Sequence, residues 1–367
     1  MNARENEWPK AFPIDAETLR TRMDTFYSPL EDWTKNVLIY DSAQRVKLDS
    51  EGPWIELAAY DEADKRAFAG MKTPHVVLDP GHIGGTWGPL EGRSFRVGDG
   101  PIFQEGDAVL KIAKRVRELL ILYDIQISLI KENTEPINPK RPEDYIEVSR
   151  AWIIEKFPEL DVDGSEFEQR VRSRANLLFY RSGEIRERSK LVNFELKPDL
   201  VVCLHINASG WPDPQKPSLV ENHDFHILLH GNYTPGELDT VDARRELAHK
   251  IANHTYALEH EAADAFLKIF RRVTELPAYH YSRNNALKLD EAGYLWARNL
   301  AANRLYRAPV VFLEPYVANS VEGYARIAAG DYRGRREVAG KMRLSIYEEY
   351  ARATASSLIE LFKLQRR

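Results

Sequence analysis

Four ionisable side chains of this 367-residue chain stand where apolar runs or a helix start would deliver them: His82, Glu105, His205 and Glu314. His82 follows the run Val76-Val77-Leu78 and the turn Asp79-Pro80-Gly81. His205 closes Leu200-Val201-Val202-Cys203-Leu204 and leads into the polar turn Ile206-Asn207-Ala208-Ser209-Gly210. Glu314 closes Pro309-Val310-Val311-Phe312-Leu313 and precedes Pro315. A lone histidine after a strand is more often a hydrogen-bonded loop residue than a ligand. Three strands ending in an ionisable group change that balance, because parallel strands bring their carboxyl ends to one sheet edge, where α/β proteins place their sites. Glu105, at a helix start, returns to the same edge. Two imidazoles and one carboxylate are the three-ligand set of a catalytic zinc, whose fourth position is kept for water. The remaining carboxylate can take a proton from that water and pass it to a leaving amine. Which carboxylate has which part stays open at this point.

The elements that must position these groups are legible as alternating patterns. Short β-branched apolar runs read as buried strands. After Glu105, the positions Leu110, Ile112, Ala113, Val116, Leu119 and Leu120 recur at helical spacing, and acidic residues in the first turn suit the helix dipole. Residues 125–130 (IQISLI) read as the next strand, so the order strand, loop, helix, strand predicts parallel pairing. The fold class is therefore α/β: a central, mostly parallel twisted sheet flanked by helices. A small, partly β N-terminal extension spans 1–70, with strand-like pieces at 36–40 and 54–60 and with Trp8, Trp33 and Trp54 as core anchors. The rest, 71–367, is one catalytic domain with a helical insertion at about 134–187. Within 131–188 the charged pairs read as solvated faces and Gly183 as a break between helices at 165–180 and 185–196. The strand at 225–230 places His226, Leu228 and His230 on one face, in lining or structural roles. His260-Glu261-Ala262-Ala263-Asp264 lacks the second histidine of a zinc helix and reads as a surface helix. A last amphipathic helix covers 345–364.

Composition removes other classes. A net charge of −5 leaves no basic excess for a nucleic-acid backbone. No apolar stretch approaches the roughly eighteen residues of a membrane span, and MNARENEWPK has neither the basic nor the apolar region of an export signal. The single cysteine, Cys203, excludes an internal disulfide framework and a cysteine-based zinc site, and reads as a buried thiol.

Four segments in order carry a resemblance: VVLDPGH at 76–82, QEGDAVL at 104–110, ERSKLVN at 187–193 followed by DLVVCLHINAS at 199–209, and APVVFLEPYVANS at 308–320. Together they resemble the amidase-3 family of zinc-dependent N-acetylmuramoyl-L-alanine amidases. The resemblance implies that His82, Glu105 and His205 bind Zn2+, that Glu314 is the catalytic base, and that the substrate is the amide joining N-acetylmuramic acid to L-alanine in peptidoglycan. It implies a periplasmic or extracellular place of action. Some relatives carry an inserted helix that covers the zinc until an activator protein withdraws it, so an insertion here implies a possible partner of that kind. The sequence departs from the family in Glu314-Pro315, where glycine is usual, and in Ile130-Lys131, where the family has Thr-Arg. Proline removes a backbone donor and biases Glu314 to extended geometry. A peptidoglycan-binding or regulatory protein of the same fold without turnover, or a related zinc peptidase, remains the alternative.

Overall fold

The structure, a computed structural model, describes residues 6–58, 68–211, 213 and 216–366. The N-terminal part contains β1 (Ala11–Phe12), α1 (Ala16–Arg22), β2 (Leu38–Tyr40), β3 (Arg45–Lys47) and β4 (Ile55–Leu57), and its strands form a small sheet in the order β1-β4-β3-β2. Of the predicted strand at 54–60, Ala59 and Tyr60 lie outside the described residues. Trp33 is buried, whereas Trp8 and Trp54 are half-buried beneath the guanidinium groups of Arg245 and Arg45.

From β5 (His75–Pro80) the chain continues through the hairpin β6 (Ser94–Phe95) and β7 (Phe103–Gln104), α2 (Glu105–Leu119), β8 (Gln126–Leu129), α3 (Ile146–Lys156), α4 (Ser165–Leu177), α5 (Glu184–Lys190), β9 (Leu200–Leu204) and β10 (Phe225–Leu229). Next come α6 (Val241–Ala252), α7 (Thr255–Thr274), β11 (Leu287–Lys288), β12 (Leu295–Ala297), α8 (Ala301–Leu305), β13 (Val310–Pro315), α9 (Val321–Ala328), the hairpin β14 (Arg336–Val338) and β15 (Lys341–Arg343), and α10 (Ile346–Phe362). Among the described residues the main sheet has seven strands, in the order β11-β12-β10-β13-β9-β5-β8. Only the β10–β13 and β11–β12 pairs are antiparallel, so the sheet is mostly parallel.

Period-two alternation divides the buried strands between two cores. Val76, Leu78, Leu200, Val202 and Leu204 face a cluster built with α2, α7 and α10. Val77, Val201 and Cys203 face the opposite cluster, with Val192, Ala302 and Tyr306. Burying each such aliphatic side chain contributes about 1.5–3 kcal/mol, and it fixes the register in which β5, β9 and β13 lie side by side. Pro80 pairs with Leu204, and Leu204 with Leu313, so all three chains leave the sheet at the same level. The N-terminal apolar residues share a separate core with Tyr233, Leu238, Ala243 and Leu247.

Two expectations about the stretch after β8 need correction. Gly183 breaks nothing: α4 runs through a wide turn at Leu178–Gly183 into α5, and a second wide turn at Leu191–Leu196 follows. The glycine serves close approach, since a Cβ there would lie 2.3 Å from Asn138 Nδ2 and 2.4 Å from Tyr145 Oη. The charges are not all solvated either. Arg150–Glu168 and Arg170–Glu166 lie at the surface, but Lys131, Glu184 and Arg188 are buried beneath the site.

Candidate metal centre and its cleft

Each proposed ligand is placed by a local device. His82 has φ 61°, a left-handed conformation that a side chain rarely adopts. Its carbonyl is held by Arg188 Nη2 at 2.8 Å and by Lys131 Nζ, which also donates to the Ile83 carbonyl at 2.7 Å. Lys131, one of the departures in sequence, therefore holds the turn that carries His82. Burial and neighbouring Arg188 bring its ammonium down to about 7.

His205 follows the central strand β9 and is stacked on Phe312, with ring centroids 4.3 Å apart and planes 13° from parallel. Its other side meets Gly81, where a Cβ would stand 2.2 Å from His205 Cε1. The glycine of the Asp79-Pro80-Gly81 turn is thus a space requirement of the imidazole. At the start of α2, Gly106 passes so close to Gly84 that a Cβ would fall 2.6 Å from its nitrogen, while Asp107 Oδ2 accepts from Gly85 N at 2.7 Å. These contacts lock Glu105 against the loop after β5.

The outcome is a compact cluster: ligand atoms of His82, Glu105 and His205 all lie within 4.8 Å of one another. Glu105 is buried, with Oε2 3.3 Å from His82 Nε2 and Oε1 3.1 Å from His205 Nδ1 and from Ile206 N. Burial opposes its charge, yet the two imidazoles and their hydrogen bonds hold its carboxyl well below the usual range. Burial also lowers His82, but Glu105 and Glu91 outweigh it and raise the imidazole to about 9; for His205 burial prevails over Glu105 and the shift is downward. Two nitrogen donors and one charged oxygen donor converging in this way are a donor set that could hold a divalent metal ion.

Glu314, one residue beyond the Leu313–Leu204 pair, lines the same cleft of about 430 Å³. Burial first, and then the Glu105 charge, push its carboxyl up to about 8 against the opposing pull of Arg93, His82 and Arg298. Pro315 continues β13 opposite Phe225, and the backbone turns only afterwards, at Tyr316 with φ 66°. Tyr180 and Arg181, from the helical stretch after β8, form part of the cleft wall.

Other predicted candidates lie apart from the cluster. His226 pairs in register with Glu314 across β10–β13, but its Nε2 meets Tyr281 Oη at 3.0 Å. His230 falls just beyond β10 and meets Tyr233 Oη at 3.0 Å. His260 turns its Nδ1 to the Tyr256 carbonyl at 2.7 Å. Cys203 is buried with its thiol pushed up, above all by burial.

Several groups at the site were not evident from sequence. Glu91, in the long loop after His82, accepts from Ile83 N at 2.9 Å and stands 3.6 Å from His82 Nδ1. Arg188 bonds Asp79 Oδ1 at 2.7 Å, Glu184 Oε1 at 2.8 Å and the Pro80 carbonyl at 3.0 Å, while Tyr306 Oη donates to Asp79 Oδ2 at 2.5 Å. The only local signal was the i,i+4 spacing of Glu184 and Arg188, which any solvated helix face shares.

No family model matches the chain, and no curated protein matches it. Solved structures similar to it are N-acetylmuramoyl-L-alanine amidases. The apo form of Ami1 from Mycobacterium abscessus is 14% identical, covering 80% of this chain and 99% of its own, with a TM-score of 0.40. The catalytic domain of CwlV from Bacillus (Paenibacillus) polymyxa is 16% identical, with 79% and 97% covered and a TM-score of 0.41. The CwlD amidase of Clostridioides difficile, solved in complex with the GerS lipoprotein, is 13% identical, with 78% and 95% covered and a TM-score of 0.40. Likenesses of this degree decide neither activity nor ligand. Among the described residues no helix is long and apolar enough to cross a membrane.

Proposed function

We propose that this chain is a zinc-dependent amidase that hydrolyses the bond between N-acetylmuramic acid and L-alanine in peptidoglycan, with His82, Glu105 and His205 as the metal ligands and Glu314 as the catalytic base. The observation that carries the reading is the convergence of three separated segments on one cluster of two imidazoles and a carboxylate, with a second carboxylate in the same cleft. The substrate comes from the four ordered segments that resemble the amidase-3 family. We take 71–367 as the catalytic unit, with 134–187 as an insertion that contributes to the cleft wall, and the place of action as outside the cytoplasm, where the substrate is.

Zinc at these ligands would supply a positive charge that polarises the scissile carbonyl and acidifies water. The chain's own residues do the rest. Glu91 and the Arg188–Lys131 clamp on the His82 carbonyl fix the orientation of the first imidazole, a support that ligands of catalytic metals require. Phe312 and Gly81 fix the second. Glu314 takes a proton from the attacking water and delivers it to the alanine nitrogen as the amide bond breaks. One carboxyl can serve both halves of that transfer, accepting the proton and then returning it.

The test is digestion of purified peptidoglycan by the zinc-loaded protein, followed by mass spectrometry. Stem peptides with a new L-alanine amino terminus are expected, and Glu314→Gln should lower their release at least ~100-fold. Undigested wall with both proteins would sink the proposal, as would full zinc content in His82→Ala and His205→Ala.

A further inference from the structure

Most charges around the cleft are used up by one another. Arg188 is held by Asp79 and Glu184, and Arg93 stands 4.0 Å from Glu105 Oε2. Arg298 differs: among the described residues no carboxylate pairs with it, although it lines the same cleft as Glu314, with its guanidinium near Tyr281, whose hydroxyl meets His226, the register partner of Glu314. The Arg298 backbone is held on both sides. Its N–H donates to the Leu229 carbonyl at 2.9 Å, its carbonyl accepts from Leu300 N at 2.9 Å, and its guanidinium lies 5.7 Å from the Tyr281 ring centroid. Arg181, exposed on the wall formed after β8, likewise has no carboxylate partner among the described residues.

A guanidinium is matched by a planar, two-oxygen anion. Its position says which part of a substrate it meets: the proton that Glu314 passes on goes to the departing nitrogen, so a cation on the Glu314 side of the cleft faces the departing peptide. We infer that Arg298, assisted by Arg181, forms a carboxylate subsite on the leaving-peptide side of the cleft, selecting stem peptides with a free carboxylate close to the scissile amide. This deepens the amidase reading and rests on it for the identity of the peptide. A stem whose second residue is linked through its side chain keeps a free α-carboxylate; amidation of that group removes the charge and keeps the shape.

The experiment compares two synthetic muropeptides differing only in carboxylate or carboxamide at the second residue. For the zinc-loaded wild type, kcat/KM should favour the acid about 10- to 100-fold, the usual strength of a charge-assisted hydrogen bond. Arg298→Gln should erase the preference, read as the ratio of kcat/KM for acid over carboxamide falling to about one, because loss of its pull on Glu314 alters turnover of both substrates alike; Arg298→Lys should keep part of the preference. Equal loss on both substrates with the ratio kept, or no preference in the wild type, overturns the inference. Calorimetric binding of the same pair to Glu314→Gln, compared with Glu314→Gln/Arg298→Gln, separates the two proposals. Acid-selective binding that depends on Arg298 without cleavage by the wild type keeps the subsite and discards the amidase. Cleavage without selectivity does the reverse, and absence of both selective binding and cleavage discards both. Should Arg298→Gln fail to fold, the wild-type preference and Arg298→Lys still decide.

Discussion

Gly81 is the residue whose role is most sharply defined by space. His205 is held between Phe312 and a backbone with no side chain, and an added methyl would occupy the position of the ring. Gly81→Ala is therefore expected to rotate or displace the imidazole and weaken zinc binding at least ~10-fold, the scale on which metal sites respond when a ligand loses its orientation. The fold should persist, because β5 and β9 keep their ladder. Zinc titration together with circular dichroism checks both halves, and unchanged affinity would refute the packing account. The four ionisable residues at the element ends were legible because each is announced by its own neighbours: His82 follows an apolar run and a stop, His205 and Glu314 close apolar runs just before a turn or a proline, and Glu105 opens a helix. Glu91, Lys131 and Arg188 were not, since each acts through partners that the local pattern does not reveal. Arg188 meets Asp79 across 109 positions, and Lys131 reaches the His82 carbonyl across 49. A buried charge and a solvated one look alike in sequence until folding supplies the partner.

The helical path from α4 through α5 shows the same limit for an element. Glycine within a charged, periodic stretch reads as a break, on the ordinary expectation that it weakens helices. What decides here is tertiary: the loop carrying Asn138 and Tyr145 crosses so closely that any side chain at 183 would collide with it. Wide turns on either side of α5 let the chain keep its hydrogen bonding while aiming Glu184 and Arg188 beneath β5. Gly183→Ala should gain helix propensity and still destabilise the protein by about 1–3 kcal/mol through overpacking. Urea unfolding would show it as a lower midpoint, and a stabilised variant would show that the loop can yield. The parallel sheet, by contrast, was readable from strand and helix order alone, because buried β5, β9 and β13 have little besides apolar residues in their central positions.

At the scale of the whole molecule, neutral histidines tie stability to pH, His226 buried and His223 and His249 half-buried. Burial chiefly holds His226 at about 3, and His223 and His249 at about 4, below the unperturbed 6.5. Below pH 6.5 the unfolded chain takes up protons that the folded chain refuses. Stability is thus fully present above that value and declines towards pH 4, by about 1.4 kcal/mol per pH unit for each group. Urea midpoints should fall from pH 7 to pH 5, with His226→Gln reducing the slope; identical midpoints would contradict this linkage. The strand order has a different kind of consequence. His82 and Glu105 precede the exposed turn at 161–163, whereas His205 and Glu314 follow it, and β5 and β9 are neighbours in the sheet. A chain cut in that turn yields two fragments, each with an incomplete donor set. Joined again through the β5–β9 ladder, they would recover the full set, so metal capture would report the reunion of two halves of a severed chain.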